Sequence, residues 1–407
     1  MHVIDTLVAR GFVQQFTGLE ALEAAMDEGP MTFYVGFDPT ASSLHVGHLV
    51  QVLVMRWLQK AGHRALAVVG GGTAMVGDPS GKTEMRPVLT EAQIAENAAG
   101  LREQLGRLLI FDGERGMMLN NADWLLPLNY VGFLRDIGRH FSVNRMLAAE
   151  AYKQRLERGL SFIEFNYMLL QSYDFLELYR RYGCRLQVGG DDQWGNILAG
   201  ADLVRRVEQG EVFGLTTPLI TTASGAKMGK TAAGAVWLDA ERTSPFDLYQ
   251  YWVNVDDADV GRFLKLYTDL SLEEIAALEK LEGADIREAK HRLAWENTRM
   301  IHGEAAAEEA RAGAQAMVAG QATDDLPTLE LSSEALAEGV RVYVALQEAG
   351  LTSSRGEGRR LIKGGGVRLD NERVADPEAD LPTELARDAG VVLRVGKKRA
   401  VRVVSSA

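Results

Sequence analysis

Residues 32–48 read Thr32-Phe33-Tyr34-Val35-Gly36-Phe37-Asp38-Pro39-Thr40-Ala41-Ser42-Ser43-Leu44-His45-Val46-Gly47-His48. The apolar run Thr32 to Phe37 predicts a buried strand, Asp38-Pro39-Thr40 ends it, and a helix begins near His45. From Gly47 to Ala61 apolar residues fall nearly all round (Leu49, Val50, Val52, Leu53, Met55, Trp57, Leu58), and Gly62 follows. That pattern predicts a buried helix with a glycine stop. A strand feeding a buried helix is the unit of an α/β fold with a parallel sheet. The runs Ala65 to Gly70, Met117 to Asn120, Arg185 to Val188 and Leu215 to Ile220 extend the alternation over the first 220 residues.

Beyond that region, Ser244 to Met317 is mainly helical in pattern and opens with Ser244-Pro245, a helix-start signal. Gly320 to Ser333 has the composition of a connector, followed by helix-like Glu334 to Ala349. The last segment combines a helix-like Arg359 to Lys363, a Gly364-Gly365-Gly366 turn, and strands around Val367-Arg368-Leu369 and Val401-Arg402-Val403. There is no internal repeat and no low-complexity tract.

With 407 residues, 46% hydrophobic and 25% charged, the chain is ordinary globular material too long for one core, so two or three domains are expected. Its single cysteine, Cys184, excludes an internal disulfide and suits a reducing compartment, as a buried thiol. The N-terminus lacks the pattern of a signal peptide and no segment reaches membrane-spanning length, so the expectation is a soluble, cytoplasmic protein without a membrane partner. The net charge of −12 argues at first against a polyanion partner. Its distribution does not: Arg355 to Arg402 holds 12 Lys and Arg against 8 Asp and Glu, a net +4 that leaves −16 for the rest. A basic tail on an acidic body is a hint of polyanion binding.

The strand-to-helix turn before His45 offers free backbone N–H groups and the positive end of a helix dipole to a phosphate. Gly47 allows close backbone approach, and His45 and His48, three apart on one face, can donate to phosphate oxygens. A pair of helix-capping histidines is the competing reading, and for a bare His-x-Gly-His the commoner one. No carboxylate or cysteine set accompanies them, so no metal site is expected. About 180 residues later, Lys227-Met228-Gly229-Lys230-Thr231 follows the small-residue run Thr221 to Ala226, and its two lysines could clamp a triphosphate. Gly77 to Thr83 imitates a P-loop, but Val76 stands where the first glycine is required, so that fold is rejected. Lys82 to Arg86 remains a candidate mobile phosphate-contacting loop, with an exposed turn equally plausible.

Phe162 to Tyr179 reads as an apolar helix interrupted by Tyr167, Gln171 and Asp174, whose spacing puts them on one face. Such a stripe must be hydrogen-bonded, to protein or to ligand, and three polar residues together favour a ligand. Gln187-Val188-Gly189-Gly190-Asp191-Asp192-Gln193 then leaves a strand at its C-terminal end, where polar groups face the binding crevice.

Together these motifs resemble class I aminoacyl-tRNA synthetases, with His45 to His48 as the HIGH signature and Lys227 to Thr231 as the KMSKS signature. Thr32 to Thr40, Gly77 to Lys82, Tyr167 to Asp174 and Gln187 to Asn196 look like the bacterial tyrosyl-tRNA synthetase family, over essentially the full length. Leu351 to Val374 resembles the S4-like RNA-binding domain that closes those enzymes. The resemblance implies a Rossmann-like catalytic domain (1–222), a KMSKS-type mobile loop (223–234), a helical domain (235–320), a linker (321–335) and an α+β S4-like domain (336–407). It further implies ATP as a substrate with Mg2+, no bound organic cofactor, L-tyrosine and tRNA as partners, and a homodimer.

Carried over residue by residue, the resemblance puts Tyr34 and Asp174 on the substrate's phenolic OH and Asp78, Tyr167 and Gln171 on its ammonium group. Gln193 lies by the carboxylate, and Gln187 completes the tyrosine set. Asp38, Gly47, His48, Asp192 and Lys230 would bind ATP, Asp192 near the ribose. Thr40, His45, His48, Lys82, Arg86, Lys227, Lys230 and Thr231 would neutralise phosphate charge in catalysis, and Arg359, Arg360, Lys363, Lys397 and Lys398 would meet tRNA. Three departures stand out. Asp191 replaces a frequent serine, Met228-Gly229 replaces Met-Ser, and Gly356 and Gly358 fall inside the first RNA-contacting helix at about 1 kcal/mol each. The glycines predict a helix that is short or mobile without tRNA. A tryptophanyl-tRNA synthetase, a HIGH-type adenylyltransferase and a catalytically silent RNA-binding relative are the alternatives.

Overall fold

The computed structural model describes residues 2–81, 89–231, 234–319, 326–370, 372–385, 390–396 and 399–406. The chain forms two compact units: Met1–Ser244 with Tyr251–Ile301, and Pro245–Gln250 with His302–Ala407.

The first unit is built on a six-stranded sheet of β1 (Gln15–Phe16), β2 (Thr32–Phe37), β3 (Arg64–Val69), β4 (Gly116–Asn120), β5 (Cys184–Gly190) and β6 (Phe213–Thr217). Their order is β1-β6-β5-β2-β3-β4, all parallel except the edge strand β1. The central strands are buried on both faces: Phe33, Tyr34, Val35 and Phe37 of β2 and every residue of β3 from Ala65 to Val69. This is why they read as apolar runs rather than alternations. The chain proceeds outward from β2 through β3 and β4, then returns to lay β5 on the other side of β2. The switch point therefore lies between β2 and β5, where parallel sheets bind ligands beyond the strand C-termini.

The helix Val46–Lys60 packs on this sheet through Val46, Leu49, Val52, Leu53, Met55 and Leu58, all at most 2% exposed. Gly62, at φ 92°, ends the turn behind it, as the glycine stop predicts. β6 stops at Thr217 and not Ile220, because Pro218 has no N–H for the ladder. The expected helix Phe162 to Tyr179 is two helices, Phe162–Phe165 and Tyr167–Tyr182. A capping box of Ser161 with Glu164 starts the first of these.

The expected helical domain 235–320 is not a body of its own. Tyr251–Ile301 packs with the sheet unit and His302 onward with the other. Arg10 shows the reason, because its guanidinium donates to the carbonyls of Lys265 (2.9 Å), Thr268 (3.0 Å) and Leu270. Arg56 and Lys60 both meet Asp269, at 2.9 and 2.8 Å.

Two further strands, β7 (Lys230–Thr231) and β8 (Gly234–Ala235), form a small hairpin. The second unit carries β9 (Thr328–Ser332), β10 (Val367–Leu369), β11 (Glu372–Arg373), β12 (Val391–Val395) and β13 (Arg399–Ser406), in the order β11-β10-β12-β13-β9. β9 occupies part of the expected linker 321–335 and pairs in parallel with β13 through Arg402↔Thr328 to Ser406↔Ser332. Glu334 to Ala349 is likewise not continuous: helices Ser333–Glu338 and Val342–Glu348 are separated at Gly339, whose φ is 92°. The helix Arg355–Lys363 forms through both of its glycines. A Cβ on Gly358 would stand 3.0 Å from that of Tyr343, so this glycine permits close helix packing.

Candidate active site

The floor of the site is a chain of hydrogen bonds that begins at the end of β2. Asp38 receives Tyr167 Oη on Oδ2 (2.8 Å) and Thr73 Oγ1 on Oδ1 (2.7 Å). Asn121 Nδ2 donates to Thr73 Oγ1 (2.9 Å) and to Asp174 Oδ2 (3.0 Å), and Trp124 Nε1 donates to Asp174 Oδ1 (2.7 Å). Gly70, at the end of β3, makes the junction possible: a Cβ there would lie 2.0 Å from Asp38 Oδ1 and 2.4 Å from Thr73 Oγ1. Thr73, Asn121 and Trp124 carried no signal in sequence, since they act through contacts 35 to 53 residues apart.

Above this floor stands Tyr34, 2% exposed, its ring 5.4 Å from Phe175. Its hydroxyl has no hydrogen-bond partner among the described residues. Burial, and then the Asp174 carboxylate, hold that phenol well above its usual range, so it is a neutral donor. Burial pushes the Asp174 carboxyl up to about 7, against the pull of Asn121 and Trp124. Tyr167 is raised as well, by burial and then by Asp38.

A second network centres on Asn196. Its Nδ2 lies 3.0 Å from Gln193 Oε1, 3.1 Å from Gln171 Oε1 and 3.3 Å from Ser80 Oγ. Gln193 Nε2 donates to Asp78 Oδ2 (2.7 Å), whose Oδ1 accepts the Ser80 N–H (2.9 Å). Gln187 is 3% exposed and its Oε1 has no partner among the described residues. Of the residues expected around the amino acid, Tyr167 and Asp174 thus lie in the first network and Asp78, Gln171 and Gln193 in the second, while Tyr34 and Gln187 are buried register partners on β2 and β5. The sequence reading missed Asn196 as the common donor to Gln171 and Gln193. Asp191 is held by Gln15 Nε2 (2.7 Å) and Thr216 Oγ1 (3.1 Å), which ties the turn after β5 to the sheet edge.

The two histidines form a reciprocal cap. His45 Nδ1 accepts the Gly47 N–H (3.0 Å), His48 Nδ1 accepts the His45 N–H (3.2 Å), and the rings stack at 3.8 Å. With each Nδ1 an acceptor, the proton of each neutral imidazole sits on Nε2. Capping and phosphate binding, set against each other in sequence, are therefore compatible in the same side chains. A Cβ on Gly47 would meet the His45 ring at 2.8 Å and the Met228 carbonyl at 3.0 Å. The lysine loop thus lies directly on this helix start. Gly229, at φ 77°, donates its N–H to Tyr251 Oη (3.4 Å), and a Cβ on it would stand 3.0 Å from the Gly47 nitrogen, so the position is closed to a side chain.

Lys227, Gly81, Asp192 and Asn196 line one cavity of about 810 Å3, with Trp194 and Leu198 on its apolar side. Thr40 is exposed on the turn after β2. Lys82 and Arg86 lie outside the described residues, as do Lys397 and Lys398; for Lys230 and Thr231 only the backbone, in β7, is described. In the second unit, Arg360 and Lys363 are exposed, whereas Arg359 is engaged by Glu378 (2.9 Å) and by the ring (4.0 Å) and hydroxyl (2.7 Å) of Tyr343. Among the described residues, no cluster of three or more His, Cys, Asp or Glu could hold a metal ion, and no helix is long and apolar enough to cross a membrane. Cys184 is fully buried and its thiol pushed up by burial.

A parallel sheet with this switch point, a histidine-capped helix and a lysine hairpin against it define a class I tRNA synthetase, and residues 26–319 match the family model for tRNA synthetases class I (W and Y). Residues 319–403 match the tyrosine--tRNA ligase SYY-like C-terminal domain. The tyrosine--tRNA ligase of Acetivibrio thermocellus is 52% identical over 98% of both chains, and that of Paracoccus denitrificans 52% over 97% of this chain and 96% of the other. A C-terminally truncated mitochondrial tyrosyl-tRNA synthetase from Aspergillus nidulans superposes with a TM-score of 0.70, at 32% identity, over 77% of this chain and 93% of that one. The chain belongs to the tyrosine--tRNA ligase family.

Proposed function

We propose that the protein activates L-tyrosine with ATP to tyrosyl-adenylate and pyrophosphate, then transfers tyrosine to the 3′ terminal ribose of tRNA(Tyr). The observation that carries the amino-acid choice is the buried Tyr34 hydroxyl, without a protein partner among the described residues, beside the Asp174 carboxyl. A phenol placed there gives the Tyr34 hydroxyl a partner and can donate to a further lone pair of Asp174, whose oxygens already accept from Asn121 and Trp124. Phenylalanine would leave the Tyr34 hydroxyl unpaired in a dry site, which is how a hydroxyl-reading site discriminates, and tyrosyl-tRNA synthetases are the standing example of that effect. The same pair argues against an indole.

The substrate carboxylate is its own nucleophile at the α-phosphate, so the protein has only to position reactants and offset phosphate charge. The Nε2–H groups of His45 and His48 and the lysines of the hairpin suit that task, with Lys82, Arg86 and Thr40 as further candidates. Asp78, Tyr167 and Gln171 would hold the ammonium group, Gln193 the carboxylate, and Asp192 the ribose. Mg2+ would arrive with ATP. Exposed Arg360 and Lys363 are open to tRNA phosphates, while Arg359 would have to leave Glu378 first. Tyr130, Val131 and Phe162, 59%, 72% and 70% exposed, support a homodimer. A cytoplasmic site of action fits a translation enzyme.

Tyrosine-dependent exchange of labelled pyrophosphate into ATP tests the proposal. Exchange with tyrosine and none with phenylalanine or tryptophan is expected; folded protein that exchanges nothing with tyrosine would refute it.

A further inference from the structure

Trp237 lies outside both signature motifs, yet it is built into them. Residues 44–46 and 236–238 run antiparallel, with a bridge between His45 and Trp237, the Val46 N–H on the Val236 carbonyl (3.0 Å) and the Leu238 N–H on the Leu44 carbonyl (2.9 Å). Val236 also donates to the Gly229 carbonyl (2.9 Å), so this short ladder anchors the lysine hairpin. Side chains continue the pairing: the Trp237 ring stands edge-on to His45 at 6.1 Å, and His45 stacks on His48. On Trp237 lies the Arg242 guanidinium, 3.4 Å from the ring centroid, itself tied to Ser42 Oγ (3.2 Å). The Trp237 N–H donates to Thr243 Oγ1 (3.0 Å), which fixes the indole's backbone from the other side. Four planar groups, Arg242, Trp237, His45 and His48, thus form one continuous series of ring contacts.

We propose that Trp237, held by Arg242, is a positioning residue for tyrosine activation: it walls the His45 imidazole into its capped rotamer and registers the lysine hairpin against the histidine helix. The inference rests on the reading that His45 meets the ATP phosphates. Without the indole, the His45 ring loses its edge-on neighbour and can rotate away from the Gly47 N–H. Its Nε2 proton then no longer points where the Nδ1 cap directs it. The contacts of Trp237 among the described residues run to His45, Thr243 and Arg242, so the tyrosine pocket, built on β2, β5 and the helix Tyr167–Tyr182, should be unaffected.

The experiment compares W237A, W237F, R242A and the W237A/H45A double variant with the wild type in tyrosine-dependent pyrophosphate exchange, alongside thermal melts. W237A should lower kcat by on the order of tenfold to hundredfold, the scale of a small misplacement of a reacting group, with KM for tyrosine unchanged. W237F, which keeps an aromatic wall, should recover most of the rate. In an H45A background, W237A should cost clearly less than it does in the wild type, the remainder being what the register of the hairpin contributes. A wild-type kcat in W237A, a parallel loss of kcat and tyrosine affinity, or a full additional loss on top of H45A would each overturn the inference. Should W237A fail to fold, R242A carries the test. A several-fold lower kcat at unchanged KM for tyrosine is expected there on the scale of a lost stacked cation, and a wild-type rate refutes it. A wild-type enzyme without tyrosine-dependent exchange would instead refute the proposed function.

Discussion

Asp174→Asn should change how the protein's stability depends on pH before any substrate is added. The Asp174 carboxyl is 4% exposed, and burial raises it from an ordinary 3.8 to about 7, with Asn121 and Trp124 only partly offsetting the effect. That displacement corresponds to about 4 kcal/mol between the two protonation states. The folded protein keeps a proton that the unfolded chain has released between these two values, so the unfolded state binds fewer protons there. Stability from this group is complete below about pH 4 and declines as pH rises to about 7, above which it is level. Asparagine keeps the shape and cannot ionise. Urea unfolding of wild type and variant from pH 4.5 to 8 isolates the group by difference, since all other titrations are shared. The wild type should lose most of that ~4 kcal/mol relative to the variant over the window. Parallel curves would refute the reasoning: they would mean that the two donors keep Asp174 ionised throughout and that burial does not dominate.

Tyr34→Phe should weaken tyrosine binding by about 1–3 kcal/mol and leave phenylalanine binding unchanged, as read by equilibrium dialysis. Gly70→Ala must part Asp38 from Thr73, because its Cβ would enter at 2.0 Å; a loss of about 1–3 kcal/mol in thermal stability is expected. Glu164→Gln removes the carboxylate that pairs with Arg155 at 2.9 Å, both side chains at most 4% exposed. About 3–5 kcal/mol should be lost in denaturant unfolding, with a near-neutral result excluding a structural ion pair. His48→Ala or Lys230→Ala should lower activation by roughly 10²-fold or more while tyrosine affinity holds, and equal losses in both would indicate a merely structural role.

What the sequence disclosed follows the range of the forces involved. β2 and the helix Val46–Lys60 were legible because their burial is written in consecutive residues, and Tyr167, Gln171 and Asp174 because a helix repeats its face every three or four positions. Asn121 and Trp124 were not legible. Nothing local marks them as donors to a carboxylate some fifty residues further on. β9 was hidden for a related reason: Thr328–Ser332 is a strand only because β13, more than seventy residues later, pairs with it. Gly358 looked like a weakness in a helix, since propensity is local, whereas its reason is the Tyr343 backbone passing beside it.

The switch point between β2 and β5 also has a consequence in time. Phe37 and Cys184, the end of one strand and the start of its neighbour, are separated by about 150 residues, which a ribosome adds in roughly 8–30 s. During that interval the nascent chain can complete β2, β3, β4 and the histidine-capped helix, with one face of the future crevice formed and its opposite wall still unmade. A growing chain that stops before Cys184, the start of β5, should therefore hold a folded half-sheet with an open central edge. That edge makes chaperone engagement during synthesis most valuable between the emergence of β4 and that of β5.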